Sequence, residues 1–173
     1  MNFKNLVNAM ALKDLYMVGV TRFSLVMETS LRTFVSTRER TLDQAEEKIF
    51  ATQRLEHRMT LFQNFCLPTY IQFRDVVPNF IGILLVNEQL PAFQLERLRQ
   101  LAFGTKAFHV LLVSSTGSVP DALRNFITTK IGNSRVFGFR LDDDDALSIH
   151  YATAFHQHRD RFRNGTVVTM SKG

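Results

Sequence analysis

The sequence predicts an α/β domain, a mostly parallel sheet flanked by helices on both faces. Three observations carry that expectation. Short apolar segments of strand character alternate with helical patterns along the chain. Phe80 to Val86 is an unbroken apolar run, as expected of a strand covered on both faces in a parallel sheet. Four aspartates, Asp142 to Asp145, follow directly on the apolar and aromatic stretch Val136 to Phe139. That order puts charge at the carboxyl end of a strand, where open α/β sheets bind ligands.

At 173 residues the chain suits one domain, taken as residues 1–173 with 1–14 peripheral. Hydrophobic residues make up 45% and phenylalanine alone supplies 16, enough for a core and too many for a disordered chain. Lys and Arg exceed Asp and Glu by 21 − 16 = +5. A basic balance suits an anionic ligand or surface. The basic residues are scattered and lack a recognised binding motif, so no nucleic-acid partner is expected. Cys66 is the single cysteine, which excludes a disulfide framework and indicates a reducing compartment. No apolar run reaches ~18 residues, and no signal-peptide pattern opens the chain. The expected location is cytoplasmic, with peripheral contact to the inner face of a membrane allowed.

Leu15 to Val20 is the first strand, with Thr21 and Arg22 at its carboxyl end. If that strand is central, both share the crevice of the aspartates. There the Arg22 guanidinium would offer phosphate a planar fork; a loop arginine on the surface is the equal alternative. Residues 25–40 show no period and are expected as a loop. Thr41 and Gln44 form a capping box, and a long helix is expected from there to Phe65. It puts Ile49, Leu55, Met59, Phe62 and Cys66 near one face, with Pro68 breaking or restarting it. Arg58 on this helix reads as a solvated surface residue.

The run Phe80–Val86 is the second strand, followed by a turn from Asn87 to Leu90. Pro91 opens a helix with Leu95, Leu98 and Ala102 inward. Phe108 to Val113 is the third strand, and His109 within it reads as a packed or edge residue. Ser118 starts a helix with Val119, Ala122, Leu123, Phe126 and Ile127 on one stripe. Val136 to Phe139 is expected as a buried fourth strand. A helix over 146–158 and a lone strand from Gly165 to Met170 complete the order.

The acidic block needs a reason. Adjacent like charges repel by about 1 kcal/mol in water, and by more at lower dielectric. Asp also suits neither helix interiors nor strands. A hard divalent cation such as Mg²⁺, which takes carboxylate and phosphate oxygens, would repay the cost. Helix capping is the plainer alternative, worth roughly 0.3–1 kcal/mol per acid, but four acids exceed what a cap needs. The block is not a calcium loop, since it lacks the glycine and glutamate such loops require. The sequence also lacks dinucleotide-binding and P-loop glycine patterns. His156 and His158 read as a solvated helix end, and the Asn164-Gly165-Thr166 sequon has no secretion signal beside it.

Several stretches together are similar to the bacterial rhamnosyltransferases, within the glycosyltransferases of GT-A-like fold. They are Val20 to Ser24, Arg58 with Leu61-Phe62 and Cys66-Leu67-Pro68 on to Gln72, Asn79 through Pro91, and Arg140 through Ser148, covering about residues 18–173. The acidic block is the most specific of them. The resemblance implies that the chain is the nucleotide-binding part of such an enzyme, acting in surface polysaccharide synthesis. It implies that Asp142 and Asp144 are the Asp-x-Asp pair that holds Mg²⁺ or Mn²⁺ and the donor. Asp145 corresponds to a further acid near the donor sugar, the candidate catalytic residue. Thr21, Arg22 and Asn87 fall at nucleotide contacts, as does Asp142; the chemistry independently suits Arg22 or Arg140 to help neutralise the leaving diphosphate. Asn87 departs from the acid that many such enzymes carry there. The implied partners are a nucleotide-diphosphate sugar, rhamnose in the first instance, and a glycan or lipid-linked acceptor. The acceptor half that normally follows the acidic motif is expected to be missing or short, since 28 residues follow Asp145. A non-catalytic nucleotide-binding module and a metal-dependent phosphatase or hydrolase are the alternatives.

Overall fold

A computed structural model describes residues 15–31 and 40–158. Four strands form one parallel sheet: β1 (Leu15–Arg22), β2 (Phe80–Asn87), β3 (His109–Val113) and β4 (Arg135–Arg140), in the order β3-β2-β1-β4. The helices are α1 (Leu42–Ile49), α2 (Thr52–Leu61), α3 (Leu67–Val76), α4 (Ala92–Thr105), α5 (Val119–Ile131) and α6 (Ile149–His158). They cover both faces of the sheet, as expected for a GT-A-like α/β layer.

Alternation along the strands decides which helix goes where. Met17, Gly19 and Thr21 of β1 stand beside Phe80, Gly82 and Leu84 of β2. This face packs on α2, α3, α4 and α6 through Leu55, Met59, Tyr70, Phe73, Leu98 and Phe155. The opposite face, with Val18, Ile83 and Leu85, packs on Val119, Ala122, Leu123, Phe126 and Ile127 of α5. Two glycines let α3 come close. A Cβ on Gly19 would lie 2.7 Å from the Phe139 ring and 3.0 Å from Tyr70. One on Gly82 would meet the Ala107 carbonyl oxygen at 2.4 Å. The close approach brings the Tyr70 ring over the strands, with its hydroxyl at the carboxyl end of β1.

Two expectations are corrected and one is narrowed. The long helix over 41–65 is two helices, because Phe50 leaves helical geometry and Ala51 is extended (φ −53°, ψ 130°). Of the two readings of Pro68, the restart holds. Residues Phe62–Cys66 form a π-helical turn in which the Leu67 N–H reaches back to the Phe62 carbonyl. Pro68 then occupies the first turn of α3, where a missing N–H costs no hydrogen bond. The fourth strand is not buried on both faces: β4 pairs only with β1 among the described residues, and Val136 is 42% exposed.

The segment after β4 also differs from expectation. The helix begins at Ile149, not at Ala146. Asp142 to Asp145 instead form a turn closed by the Asp145 N–H on the Asp142 carbonyl at 3.1 Å. Leu147 N–H then donates to Thr69 Oγ1 at 3.1 Å, tying the segment to α3. The loop expected over 25–40 includes one 3-10 turn, Glu28–Ser30. The strand expected at Gly165–Met170, the sequon at Asn164 and the peripheral segment 1–14 lie outside the described residues, as do the side chains of His156 and His158. Among the described residues no helix is long and apolar enough to cross a membrane.

Candidate functional site

The central position of β1 brings its carboxyl end beside that of β4. Val20 pairs with Arg140, and the Leu141 N–H donates to the Val20 carbonyl at 3.0 Å. Arg22, Arg140 and the acid turn therefore share one edge of the sheet. Arg140 donates to Asp142 Oδ1 from Nη2 at 2.8 Å and from Nε at 3.2 Å. Burial holds the Arg22 guanidinium below its ordinary pKa, the neighbouring Arg140 adds to that, and Asp142 opposes it.

The four aspartates are not equivalent. The Asp143 side chain is 3% exposed, whereas those of Asp142 and Asp144 are 49% and 44% exposed. Arg58 of α2 holds Asp143 with two contacts, Nε to Oδ2 at 2.9 Å and Nη2 to Oδ1. The same guanidinium reaches Asp144, with Nη1 to Oδ2 at 3.0 Å and Nη2 to Oδ1 at 3.3 Å. Arg58 is thus bound to the acid turn, which corrects its reading as a solvated residue. Arg54, one helical turn earlier on α2, donates to Ser24 Oγ at 3.2 Å and to the Ile49 carbonyl at 3.0 Å. Burial lowers its pKa first, and the charge of Arg58 lowers it further.

Beneath the turn lies a buried polar contact. Thr21 Oγ1 sits 2.8 Å from the Tyr70 hydroxyl and 3.3 Å from Cys66 Sγ. Burial pushes the Cys66 thiol up to about 12, Asp145 and Asp142 push the same way, and the Thr21 hydrogen bond opposes them. Burial likewise raises the Tyr70 hydroxyl well above its ordinary value. Both groups therefore stay protonated at neutral pH.

Asn87 stands apart, at the end of β2. Its amide donates to the Val26 carbonyl at 2.8 Å and to Ser115 Oγ at 3.0 Å, and its Oδ1 accepts from the Gln89 N–H at 2.9 Å. Ser115 Oγ in turn donates to Glu46 at 2.5 Å.

Of the expected site residues, Arg22, Arg140, Asp142, Asp144 and Asp145 come together at the ends of β1 and β4. The side chains of Thr21 and Asn87 are fully buried and committed to internal hydrogen bonds. Sequence reasoning missed Arg54 and the anchoring part played by Asp143. The available signal was the i, i+4 spacing of Arg54 and Arg58, which puts two cations on one helix face.

Among the described residues no group of three or more His, Cys, Asp or Glu side chains gathers to hold a metal. Asp142 and Asp144 offer two half-exposed carboxylates. That donor set fits a cation such as Mg²⁺, which uses one or two protein carboxylates and completes its shell with phosphate oxygens and water.

No curated protein and no solved structure matches the chain. A family model does. Residues 16–170, including every charged side chain of the crevice, match the family described as "Putative rhamnosyl transferase", and the chain belongs to that family.

Proposed function

We propose that the chain binds a nucleoside-diphosphate sugar at the crevice formed by the ends of β1 and β4. It transfers the sugar, rhamnose in the first instance, to a hydroxyl on a glycan or lipid-linked acceptor. Family membership supports the transferase class. One observation carries the location: the half-exposed carboxylates Asp142 and Asp144 stand among Arg22, Arg58 and Arg140. Such a mixture suits a ligand that brings both phosphate and a cation.

The arginines bind and orient. A guanidinium meets phosphate oxygens with a fixed fork and keeps its charge at any physiological pH. Arg22 and Arg140 would hold the diphosphate in this reading. Asp142 and Asp144 would hold Mg²⁺ or Mn²⁺, which when bound neutralises the charge that develops on the leaving diphosphate. Asp145, on the same turn, is proposed to face the donor sugar. Thr21 and Asn87 act in this reading through the strand ends that their hydrogen bonds support.

The test is a calorimetric titration with deoxythymidine diphosphate, with and without Mn²⁺, repeated with uridine diphosphate. Metal-dependent binding is expected, weakened about tenfold or more in Asp144→Asn, the equivalent of ~1.4 kcal/mol. Identical binding by the variant and the parent protein, with metal present, refutes the site.

A further inference from the structure

Arg58 bridges the one acid that is buried and one that is exposed. Nε and Nη2 are spent on Asp143, while Nη1 points to Asp144, with Nη2 shared between them. The two partners differ in what they can give up. Asp143 is sealed from water, so releasing it would leave a buried charge unpaired, which is costly. Asp144 is nearly half exposed, and an ion pair at that exposure is worth little. The guanidinium is therefore anchored on one side and exchangeable on the other. Arg54, held in place by Ser24 and Ile49, adds a like charge close to Arg58.

We infer that Arg58 is a positioning residue which also occupies Asp144 in the ligand-free protein, as an internal counter-cation. A divalent ion and the Arg58 Nη1 edge compete for the same carboxylate. Loading the site moves Asp144 from Arg58 to the ion and frees that N–H edge toward the donor phosphate. The Asp143 contacts keep Arg58 in the crevice throughout. This rests on the proposed reading that Asp142 and Asp144 take the cation.

The competition gives an effect in a direction that a purely structural role would not. In Arg58→Lys the single ammonium can stay with Asp143 but loses the fork that spans both acids. Binding of Mn²⁺ alone, followed by electron paramagnetic resonance, should then be tighter than in the parent protein. The gain expected is about two- to fivefold, the size of one exposed charged contact. With deoxythymidine diphosphate present the gain should shrink, because the freed guanidinium edge is no longer there for phosphate. Should Arg58→Lys fail to fold, the double variant Arg58→Gln with Asp143→Asn keeps a neutral hydrogen-bonded anchor and should also bind Mn²⁺ more tightly. Equal or weaker Mn²⁺ binding in the folded variant overturns the exchange. Asp144→Asn separates the two readings. If it weakens Mn²⁺ binding while Arg58→Lys does not tighten it, only the exchange fails. If Asp144→Asn has no effect, the exchange and the metal site fall together.

Discussion

Two polar clusters stand at the carboxyl edge of the same sheet, and they are built on opposite rules. At the ends of β2 and β3, Asn87 and Ser115 are tied to each other and to Glu46 and Gln89. The Asn87 amide spends both N–H groups and its oxygen within 3.0 Å, and its side chain is sealed from solvent. At the ends of β1 and β4, by contrast, charges are paired but not used up. Asp142 and Asp144 keep half of their surface, and a carboxylate has about four acceptor positions to offer. The buried Asn87 amide can lose a partner only at a cost and can gain none. The open cluster can exchange partners. The difference separates a joint in the fold from a place where a ligand can bind.

The comparison breaks most sharply at Arg58. Arg58→Met would strand Asp143 as a buried, unpaired charge, and the expected loss of stability is on the order of 3 kcal/mol. Denaturant unfolding measures it, and a loss below about 1 kcal/mol would mean that Asp143 has access to water. Ser115→Ala tests the closed cluster. It removes an acceptor from Asn87 and a donor from Glu46, for an expected loss of about 1–3 kcal/mol. The affinity for a nucleoside diphosphate should stay within about twofold of the parent, since Ser115 belongs to the fold rather than to the crevice. A large loss of affinity with unchanged stability would reverse the assignment of the two clusters.

The strands were legible because each is an apolar run, and their parallel order followed from the helices between them. The end of β1 was not. Its apolar run stops at Val20, but Thr21 and Arg22 continue the ladder opposite Leu84 and Leu85. Strand alternation then turns Thr21 into the core face and keeps Arg22 off it. The helix break at Phe50 and Ala51 carries neither glycine nor proline, so no local signal marked it. The acid turn showed its charge and its place after a strand. Four identical residues in a row cannot show which one is buried. That choice is made by Arg58, which lies 85 residues away from Asp143 in the chain. Ion pairs between distant segments leave no periodicity to read.

Thr21→Val is the next smaller test. The shape is kept, but the Tyr70 hydroxyl and the Cys66 thiol lose their shared partner beneath the acid turn. About 1–2 kcal/mol of stability should be lost, since both groups are buried. If the two clusters are independent, adding Ser115→Ala should give the sum of the single effects to within about 0.5 kcal/mol. A larger departure from the sum would join what the structure separates.

The smallest expected effect lies outside both clusters, at His109 on the amino end of β3. Its ring packs against Phe126 with centroids 5.3 Å apart, and Lys130 Nζ lies over the Phe126 ring, 5.8 Å from its centroid. Desolvation lowers the imidazole pKa below 6.5 and the Lys130 charge lowers it further, so the folded protein favours neutral His109. The unfolded chain therefore takes up the proton first as pH falls. The stability that His109 contributes is complete above the unfolded value near 6.5, declines as pH drops through it, and levels off below the folded value. His109→Gln should flatten that part of the profile and leave the plateau above neutrality in place. The measurement is the thermal midpoint at intervals between about pH 5 and 8, the range in which histidine titrates. An unchanged slope in the variant would show that His109 is not the source of acid sensitivity in this range.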